Sequence, residues 1–218
     1  MALVLFDLDN TLISGDSDHL WGEFLVEQGA VDGAFYKREN DRFYKEYQEG
    51  RLDIQEFLAF SLRPLYENEL EQLLRWREVF LTQVIDPIIP QASHELLQKH
   101  RQMGDLLVII TATNSFITGP IAKRLGVDHL LATEPECIEG RYTGKVSGVP
   151  CYREGKVVRL KSWMMSNESE LKGSWFYSDS HNDLPLLQLV DNPVAVDPDE
   201  VLQKEAILNS WPIIRLSQ

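Results

Sequence analysis

The feature that most constrains the fold is a short apolar segment near the start of the chain that ends in two acidic residues. Residues 3–6 are all apolar, and Asp7 and Asp9 follow with a single residue between them. A run of this length is typical of a short strand buried in a sheet. Because the chain turns where such a strand ends, we expect the two carboxylates to converge. The sequence therefore predicts a buried strand that presents two acids at its C-terminal end.

Asp7 and Asp9 also pose an electrostatic problem, since two carboxylates a few ångströms apart repel each other unless a cation or a proton separates them. Mg²⁺ is the expected cation, because it is hard and takes oxygen ligands. One aspartate is then able to attack an electrophile while the other transfers protons. A purely structural interpretation is also open on these two residues alone, because aspartates after strands often cap the next helix.

Strand-like and helix-like segments alternate through the second part of the chain, and residues 134–152 have the glycine spacing of a small β-hairpin. The alternation predicts an α/β fold with a Rossmann-like, doubly wound parallel sheet. The predicted core strands after the first are 106–110, 130–133, 174–178 and, as the last of them, 193–196. The predicted core helices are 91–103, 117–125, 156–165 and 183–189.

A long helical block interrupts this alternation directly after the first strand. From residue 16 to residue 89 apolar residues recur at helical spacing, and Pro87 and Pro90 end the pattern. We therefore predict an inserted α-helical cap domain at 16–89. The α/β core domain is then formed by residues 1–15 and 90–218.

Composition limits the classes of partner. The formal net charge of −13 argues against nucleic acid or an anionic membrane. No stretch has the apolar length of a membrane span, and the early strand leaves no room for a signal peptide. With only Cys137 and Cys151, no disulfide framework is expected. We expect a cytoplasmic protein, monomeric or homodimeric, whose ligand is a small molecule.

Polar residues follow two more of the predicted strands. In an open α/β sheet, ligands bind beyond the carboxyl ends of the strands. Residues 111–114 follow the second strand, and the segment 179–183 follows a later one. Lys156 opens the helix before that later strand, with Lys145 and Lys161 as alternative candidates for a lysine in the site.

Together these segments resemble the haloacid dehalogenase superfamily of phosphatases. The Asp-x-Asp-x-Thr signature is at residues 7–11, and the apolar strand that ends in threonine is at 107–111. The lone lysine is Lys156, and the acidic fourth motif is Asp179 with Asp183. The helical insert resembles the cap of the subgroup that includes the phosphoserine phosphatases.

The resemblance implies a Mg²⁺-dependent phosphomonoesterase that works through an aspartyl-phosphate. Asp7 is then the nucleophile, and Asp9 protonates the leaving oxygen and later deprotonates water. The resemblance places Mg²⁺ on Asp7, the Asp9 carbonyl and Asp179, with Asp183 orienting a metal-bound water or Lys156. The phosphoryl oxygens are expected to bind Thr111, Ala112, Lys156 and Asn182.

The resemblance also suggests which phosphate ester binds. Phosphoserine phosphatases place an acid for the substrate amine where Asp16 lies, with Asp18 nearby. Where they place a cap arginine for the substrate carboxylate this chain has Ala59, and Arg63 is one turn later. A carboxylate buried without its partner is costly. We therefore expect a cationic ester without a carboxylate, with histidinol phosphate as the leading substrate and phosphoserine as the alternative.

Other functions compete with this prediction. A phosphomutase or phosphotransferase keeps the same motifs but passes the phosphoryl group to another acceptor, so it does not release free phosphate. A phospho-accepting receiver module uses similar residues to switch a partner, but it is shorter and has no helical insert. A dehalogenase of the same fold has no second acid, so Asp9 argues against it.

Overall fold

A single seven-stranded sheet forms the centre of the molecule, in the order β4-β3-β2-β1-β5-β6-β7. This computed structural model describes residues 2–217. All neighbouring strands are parallel except β4, which runs antiparallel to β3. The strands are β1 (Leu3–Phe6), β2 (Leu106–Asn114), β3 (His129–Ile138), β4 (Arg141–Ser147), β5 (Trp175–Ser178), β6 (Asn192–Val196) and β7 (Ile213–Ile214).

Helices cover both faces of this sheet, which confirms the predicted α/β, doubly wound architecture. Short π- and 3₁₀-helical segments at 81–85 and 86–88 follow the fifth helix, and a 3₁₀ turn at 181–183 precedes the ninth. The helices are α1 (Ser17–Glu27), α2 (Gly33–Gln48), α3 (Ile54–Ser61), α4 (Arg63–Glu67), α5 (Leu70–Phe80), α6 (Gln91–Gln102), α7 (Ser115–Leu125), α8 (Glu154–Asn167), α9 (Leu184–Leu187) and α10 (Glu200–Leu208).

The first strand lies at the centre of the sheet and is buried along its whole length. Val4 and Phe6 join one buried apolar cluster, whereas Leu3 and Leu5 join another. The two clusters lie on opposite faces, because side chains alternate along a strand. The buried strand predicted from the apolar run is confirmed. The first cluster also contains Trp21 of α1, so the helical block packs directly against the sheet.

Aspartate or asparagine side chains begin several of the helices. Asp16, Asp32 and Asp53 each accept a hydrogen bond from a backbone N–H in the first turn of α1, α2 and α3. Asn114 and Asp199 do the same for α7 and α10. Each of these caps satisfies backbone donors that have no partner within the helix.

The helical block leaves and rejoins the core at neighbouring points. The N–H of Ser14 donates to the carbonyl of Ile88 across 2.8 Å. Helices α1–α5 all lie between these residues, so the block is helical as predicted. The division into core and cap domains at residues 16 and 89 stays a prediction, which this contact supports.

Two strands are longer than the sequence predicts. The second strand continues past Ile110 to Asn114 through an irregularity in its pairing with β3. The last residues of this strand are mostly polar, so the apolar pattern in the sequence ends before the strand does. The third strand continues past Thr133 because its second half pairs with β4 to form the predicted hairpin.

The C-terminal part of the core differs from the prediction in two ways. The helix predicted at 183–189 is shorter, because a 3₁₀ turn occupies 181–183 and α9 ends at Leu187. The strand at 193–196 is not the last one, since α10 and β7 follow it. Residues Ile213 and Ile214 pair with β6, and two residues are too few to show a strand period.

Both cysteines are free: Cys137 is exposed and Cys151 is buried. Within residues 2–217, no helix has both the length and the apolar character that crossing a membrane requires.

Candidate active site

A pocket lies between the C-terminal ends of the central strands and the helical block. Because β1 is paired with β2 on one side and β5 on the other, their ends meet at one edge of the sheet. The core contributes Asp7, Asp9, Thr111, Ala112 and Thr113 to the pocket wall. The helical block contributes Asp16, Asp18, His19, Asn40, Phe43, Tyr44, Tyr47, Leu52, Ile54 and Phe57.

Lys156 links two of the predicted acids at the edge of this pocket. Its Nζ donates to Asp7 Oδ1 and to Asp183 Oδ2, both at 2.7 Å, and its side chain is only 2% exposed. Burial alone would lower the pKa of Lys156, but the carboxylates of Asp183 and Asp7 outweigh it and raise that pKa above its ordinary value. The lysine therefore stays charged. Neither Lys145 nor Lys161 is bonded to these acids.

Asp183 is fixed from a second side, because its Oδ2 also accepts a hydrogen bond from Ser178 Oγ at 2.7 Å. Its side chain does not cap α9. Its carboxylate is thus committed to Lys156 and Ser178, which fits a residue that orients the lysine.

The donor set around Asp7 fits a divalent cation. Burial is the main cause that raises the pKa of Asp7 to about 7, and Asp183 and Asp9 raise it further against the opposing effect of Lys156. Burial, Asp7 and Asp183 also raise the pKa of Asp179 well above its usual range. Three neighbouring carboxylates share one lysine, so the cluster lacks positive charge, and its oxygen donors are those that Mg²⁺ prefers.

The threonine of the N-terminal signature positions Asp179. Thr11 Oγ1 donates to Asp179 Oδ1 and accepts from the N–H of the same residue, both at 3.1 Å. The loop after β5 is thereby tied to the turn after β1. Asp7 and Asp179 belong to segments that are far apart in the chain, and this contact holds the segments together.

Asp9 is held by three donors. Its Oδ1 accepts from the N–H of Ser17, the first residue of α1, at 2.7 Å. Its Oδ2 accepts from Thr111 Oγ1 at 3.2 Å and from Thr113 Oγ1 at 2.8 Å. The Thr113 contact is absent from the sequence prediction, although side chains two residues apart on a strand share a face. This carboxylate is therefore oriented by both the core and the helical block.

The predicted phosphoryl-binding residues differ in their surroundings. Thr111 and Ala112 line the pocket. Asn182 does not, because its Nδ2 donates to the Tyr47 carbonyl at 3.1 Å and its Oδ1 accepts from Arg153 Nε at 3.0 Å. Asn182 thus joins the helical block to the core, and substrate binding by its amide stays a prediction.

Arg153 is a second link between the two parts of the chain, and the sequence did not indicate it. Its Nη2 donates to the carbonyl of Gly50, and its backbone has a φ of 49°. Positive φ is uncommon for residues other than glycine and is often found at functional sites. No local sequence pattern reveals this contact, since it spans 103 residues.

The acids predicted to meet the substrate amine lie in the pocket wall. Asp16 caps α1 by accepting from the N–H groups of Asp18 and His19 at 3.0 and 2.8 Å. Burial and the nearby Asp9 raise the pKa of Asp16 to about 7. No lysine or arginine belongs to the pocket wall among the described residues. Arg63 is exposed and pairs with Glu67 instead.

The rest of the helical wall is aromatic. The side chains of Phe43, Tyr44, Tyr47 and Phe57 face the pocket, together with His19. The rings of His19 and Tyr44 stack with their centroids 4.6 Å apart. Helical periodicity places Phe43 and Tyr44 on a packed face of the helical block. It could not show that this packed face also borders a pocket.

Comparisons with known proteins agree with this geometry. A family model described as haloacid dehalogenase-like hydrolase matches residues 4–188. The chain belongs to this family. A histidinol-phosphatase from Neisseria meningitidis serogroup C (strain 8013) is 43% identical over 216 residues, which cover 97% of this chain and 97% of that protein.

Solved structures share the fold. The crystal structure of a protein with unknown function from Bordetella pertussis Tohama I is 42% identical, has a TM-score of 0.93 and covers 99% of this chain and 98% of that one. A substrate-bound phosphoserine phosphatase has a TM-score of 0.73 at 18% identity, covering 99% and 93% of the two chains. At that identity the second likeness supports the fold alone.

Proposed function

We propose that this haloacid dehalogenase-like phosphatase hydrolyses histidinol phosphate with the help of Mg²⁺. The chain is a phosphoric monoester hydrolase, as its four motifs predict. The substrate proposal rests on one observation: the pocket above Asp7 is acidic and aromatic, and within the described part of the chain no lysine or arginine belongs to its wall. It is supported by the relative from Neisseria meningitidis, which is a histidinol-phosphatase.

Asp7 is the proposed nucleophile. Its carboxylate oxygen forms a bond to phosphorus as the ester P–O bond breaks, which gives an aspartyl-phosphate and frees the alcohol. The Lys156 ammonium, 2.7 Å from Asp7 Oδ1, favours the ionised nucleophile and lies close to the oxygens that gain negative charge. Thr111 and the backbone near Ala112 are the proposed donors to the remaining phosphoryl oxygens.

Asp9 is the proposed acid and base. It gives its proton to the departing alkoxide, then takes one from the water that attacks the aspartyl-phosphate, so phosphate leaves and both acids return to their starting state. This kind of proton transfer is worth about 10²–10⁴ in rate. The contacts from Ser17, Thr111 and Thr113 support this role because they fix the carboxylate before the substrate arrives.

Mg²⁺ is the proposed cofactor. Asp7, Asp179 and the carbonyl of Asp9 are the groups that would hold it, with Asp183 acting through Lys156. The bound ion would supply positive charge that offsets the charge of the phosphoryl group. The excess of carboxylates over cations in this cluster supports the proposal.

The helical wall is the proposed binding surface for the rest of the substrate. Histidinol phosphate carries an amine and an imidazole ring but no carboxylate. Asp16 is the proposed partner of the amine, and the aromatic side chains Phe43, Tyr44 and Phe57 provide an apolar surface for the ring. Phosphoserine would place its carboxylate in a pocket wall that contains acids and, among the described residues, no lysine or arginine, which is costly.

Phosphate release from a small panel of esters tests the proposal. Purified protein is assayed on histidinol phosphate, phosphoserine and a neutral alkyl phosphate, with Mg²⁺ and with a chelator. We expect histidinol phosphate to have the highest kcat/KM, and the chelator to abolish release. A higher kcat/KM for phosphoserine would overturn the substrate assignment. Transfer to an added sugar without free phosphate would indicate a phosphotransferase.

The nucleophile is tested by Asp7→Asn, which keeps the shape of the side chain and removes its charge. We expect phosphate release from every ester to fall by at least about a thousandfold, because the covalent route is lost. Undiminished activity in this variant would refute the assignment of Asp7.

We also propose that the protein works in the cytoplasm as a monomer or homodimer and has no nucleic-acid partner. Its net charge of −13 and its two unpaired cysteines support this environment.

A further inference from the structure

Asp18 is an unusual residue in the pocket wall. Its side chain belongs to the wall and the residue is only 8% exposed. Within residues 2–217, no donor or cation lies within bonding distance of its carboxylate, and its backbone N–H donates to Asp16. Because this carboxylate borders the pocket and has no partner among those residues, a group that enters the pocket is the expected partner.

The neighbours of Asp18 do not offer that partner. Asp16 has its own structural task, since it caps α1. Both nitrogens of the His19 ring lie near residues other than Asp18: Nδ1 is 3.1 Å from Asn40 Nδ2, and Nε2 is 3.7 Å from Asp41 Oδ1. Burial, Asp16 and Asp9 all raise the pKa of Asp18 well above its usual range, so its surroundings oppose the charged form unless a cation arrives.

The pocket therefore presents two carboxylates of different kinds. The Asp16 oxygen is partly satisfied by backbone N–H groups, whereas both oxygens of Asp18 are free to accept. Of the residues that the structure describes, no lysine or arginine in the pocket wall neutralises them. A ligand that carries two separate proton-donating groups in addition to its phosphate would satisfy both acids.

We propose that Asp18 is a specificity-determining residue that accepts a hydrogen bond from the imidazole N–H of the substrate, while Asp16 meets the amine. This inference rests on the proposed function, because it assigns the second nitrogen group of that substrate. It makes the ring, as well as the amine, a requirement for tight binding. The substrate class is a phosphate ester with two nitrogen donors and no carboxylate.

Four phosphate esters distinguish the contribution of the substrate amine from that of the imidazole ring. Histidinol phosphate has both, aminoethyl phosphate has only the amine, imidazolylethyl phosphate has only the ring, and ethyl phosphate has neither. Asp18→Asn is the test variant, because it removes the charge and keeps the shape. Asp41→Asn is the matched control, since it removes one charge from a half-exposed residue beside His19 that is outside the pocket wall.

We expect Asp18→Asn to raise KM about 10- to 100-fold for the two esters that carry the ring, as for a lost hydrogen bond to a charged group. Its kcat should change little, and its kcat/KM on aminoethyl phosphate and ethyl phosphate should match the wild type. Asp41→Asn should resemble the wild type on all four esters. Thermal unfolding without substrate should show Asp18→Asn to be folded and at least as stable as the wild type.

Two outcomes would overturn the inference alone. One is an unchanged KM of Asp18→Asn for histidinol phosphate, and the other is an equal loss on ring-bearing and ring-free esters. Failure of the wild type to hydrolyse histidinol phosphate while it hydrolyses the simpler esters would overturn the proposed substrate and this inference together. The two failures are distinguished by the wild-type assay.

Discussion

At the scale of single residues, the chemistry of the site depends on how its acids are held. Asp7 contacts Lys156, whereas Asp9 contacts only neutral donors: one backbone N–H and two hydroxyls. The two carboxylates of one short motif therefore have different surroundings. Such a difference separates a nucleophile from a proton-transfer group.

Thr113 offers a direct test of how Asp9 is positioned. Replacing Thr113 with Val removes the 2.8 Å hydrogen bond to Asp9 Oδ2 and keeps the size of the side chain. We expect kcat to fall about tenfold or more, because a hydrogen bond to a charged group is worth about 1.5–3 kcal/mol. KM should change little. Steady-state kinetics on the preferred ester measure both values.

Thr118→Val is the matched control for this change, because Thr118 is also buried but its hydroxyl donates to the Asn114 carbonyl. Thr113→Ser restores the hydroxyl and should recover most of kcat. Equal kcat values for the Thr113→Val variant and the wild type would show that Asp9 does not need this contact.

The site residues that could be predicted from the sequence differ from those that could not in where their contacts come from. Asp7, Asp9 and Asp179 follow strand ends, where the alternation of elements already indicates that side chains meet. Arg153 and His19 were missed because their surroundings are assembled from distant segments. Arg153 contacts Gly50, 103 residues away, and no local period records such a contact.

At the scale of elements, apolar segments of four or more residues were predicted well. Shorter or more polar segments were not. The first strand has four apolar residues at the centre of the sheet, and its burial was readable from sequence. The last strand has two residues, so no period exists to detect. The second strand continues through Thr111 and Thr113, whose hydroxyls are buried because Asp9 accepts their hydrogen bonds. Because these residues are polar, the apolar pattern of the sequence does not indicate this part of the strand.

The β3–β4 hairpin contacts the helical block at a glycine, which gives a test at this scale. Gly144 has a φ of +78°, and a Cβ there would overlap the ring of Tyr66 on α4. Gly140 has a similar φ of +79°, but a Cβ there would meet no atom within 4 Å beyond its chain neighbours. Alanine at a left-handed position costs about 1–2 kcal/mol by itself. Overpacking adds about 1–3 kcal/mol.

We therefore expect Gly144→Ala to lower the free energy of unfolding more than Gly140→Ala does. Denaturant unfolding of both variants measures the difference, which reports the contact between Gly144 and Tyr66. Adding Tyr66→Ala to Gly144→Ala should recover the excess loss, as a double-mutant cycle would reveal. Equal losses for the two glycine variants would mean that the hairpin does not rely on this contact.

At the scale of the whole molecule, a chain with a net charge of −13 places four of its acids, Asp7, Asp9, Asp16 and Asp18, in the wall of one pocket. Burial and neighbouring acids raise the pKa of Asp7 and Asp16 to about 7 and those of Asp18 and Asp179 well above their usual range. Among residues 2–217, Lys156 is the one lysine bonded to this group. The folded chain without ligands therefore holds acids that would be more stable either protonated or paired with cations.

This arrangement predicts an unusual dependence of stability on pH. Between the ordinary carboxyl pKa of 3.8 and the raised value of about 7, the folded chain binds more protons than the unfolded chain. Stability must then fall as pH rises through that interval. We expect the Tm of metal-free protein to be higher at pH 5 than at pH 8. A difference of about 2 kcal/mol corresponds to about 4–8 °C in a chain of this size.

Mg²⁺ should oppose this fall, because a cation bound only by the folded chain stabilises it and binds best to ionised acids. Differential scanning calorimetry should therefore show a larger Mg²⁺-dependent rise in Tm at pH 8 than at pH 5. Asp16→Asn keeps a good helix cap and should weaken the metal-free pH dependence. Asp41→Asn removes an exposed charge and should leave it unchanged. A metal-free Tm that rises steadily from pH 5 to pH 8 would contradict the raised pKa values of the pocket acids.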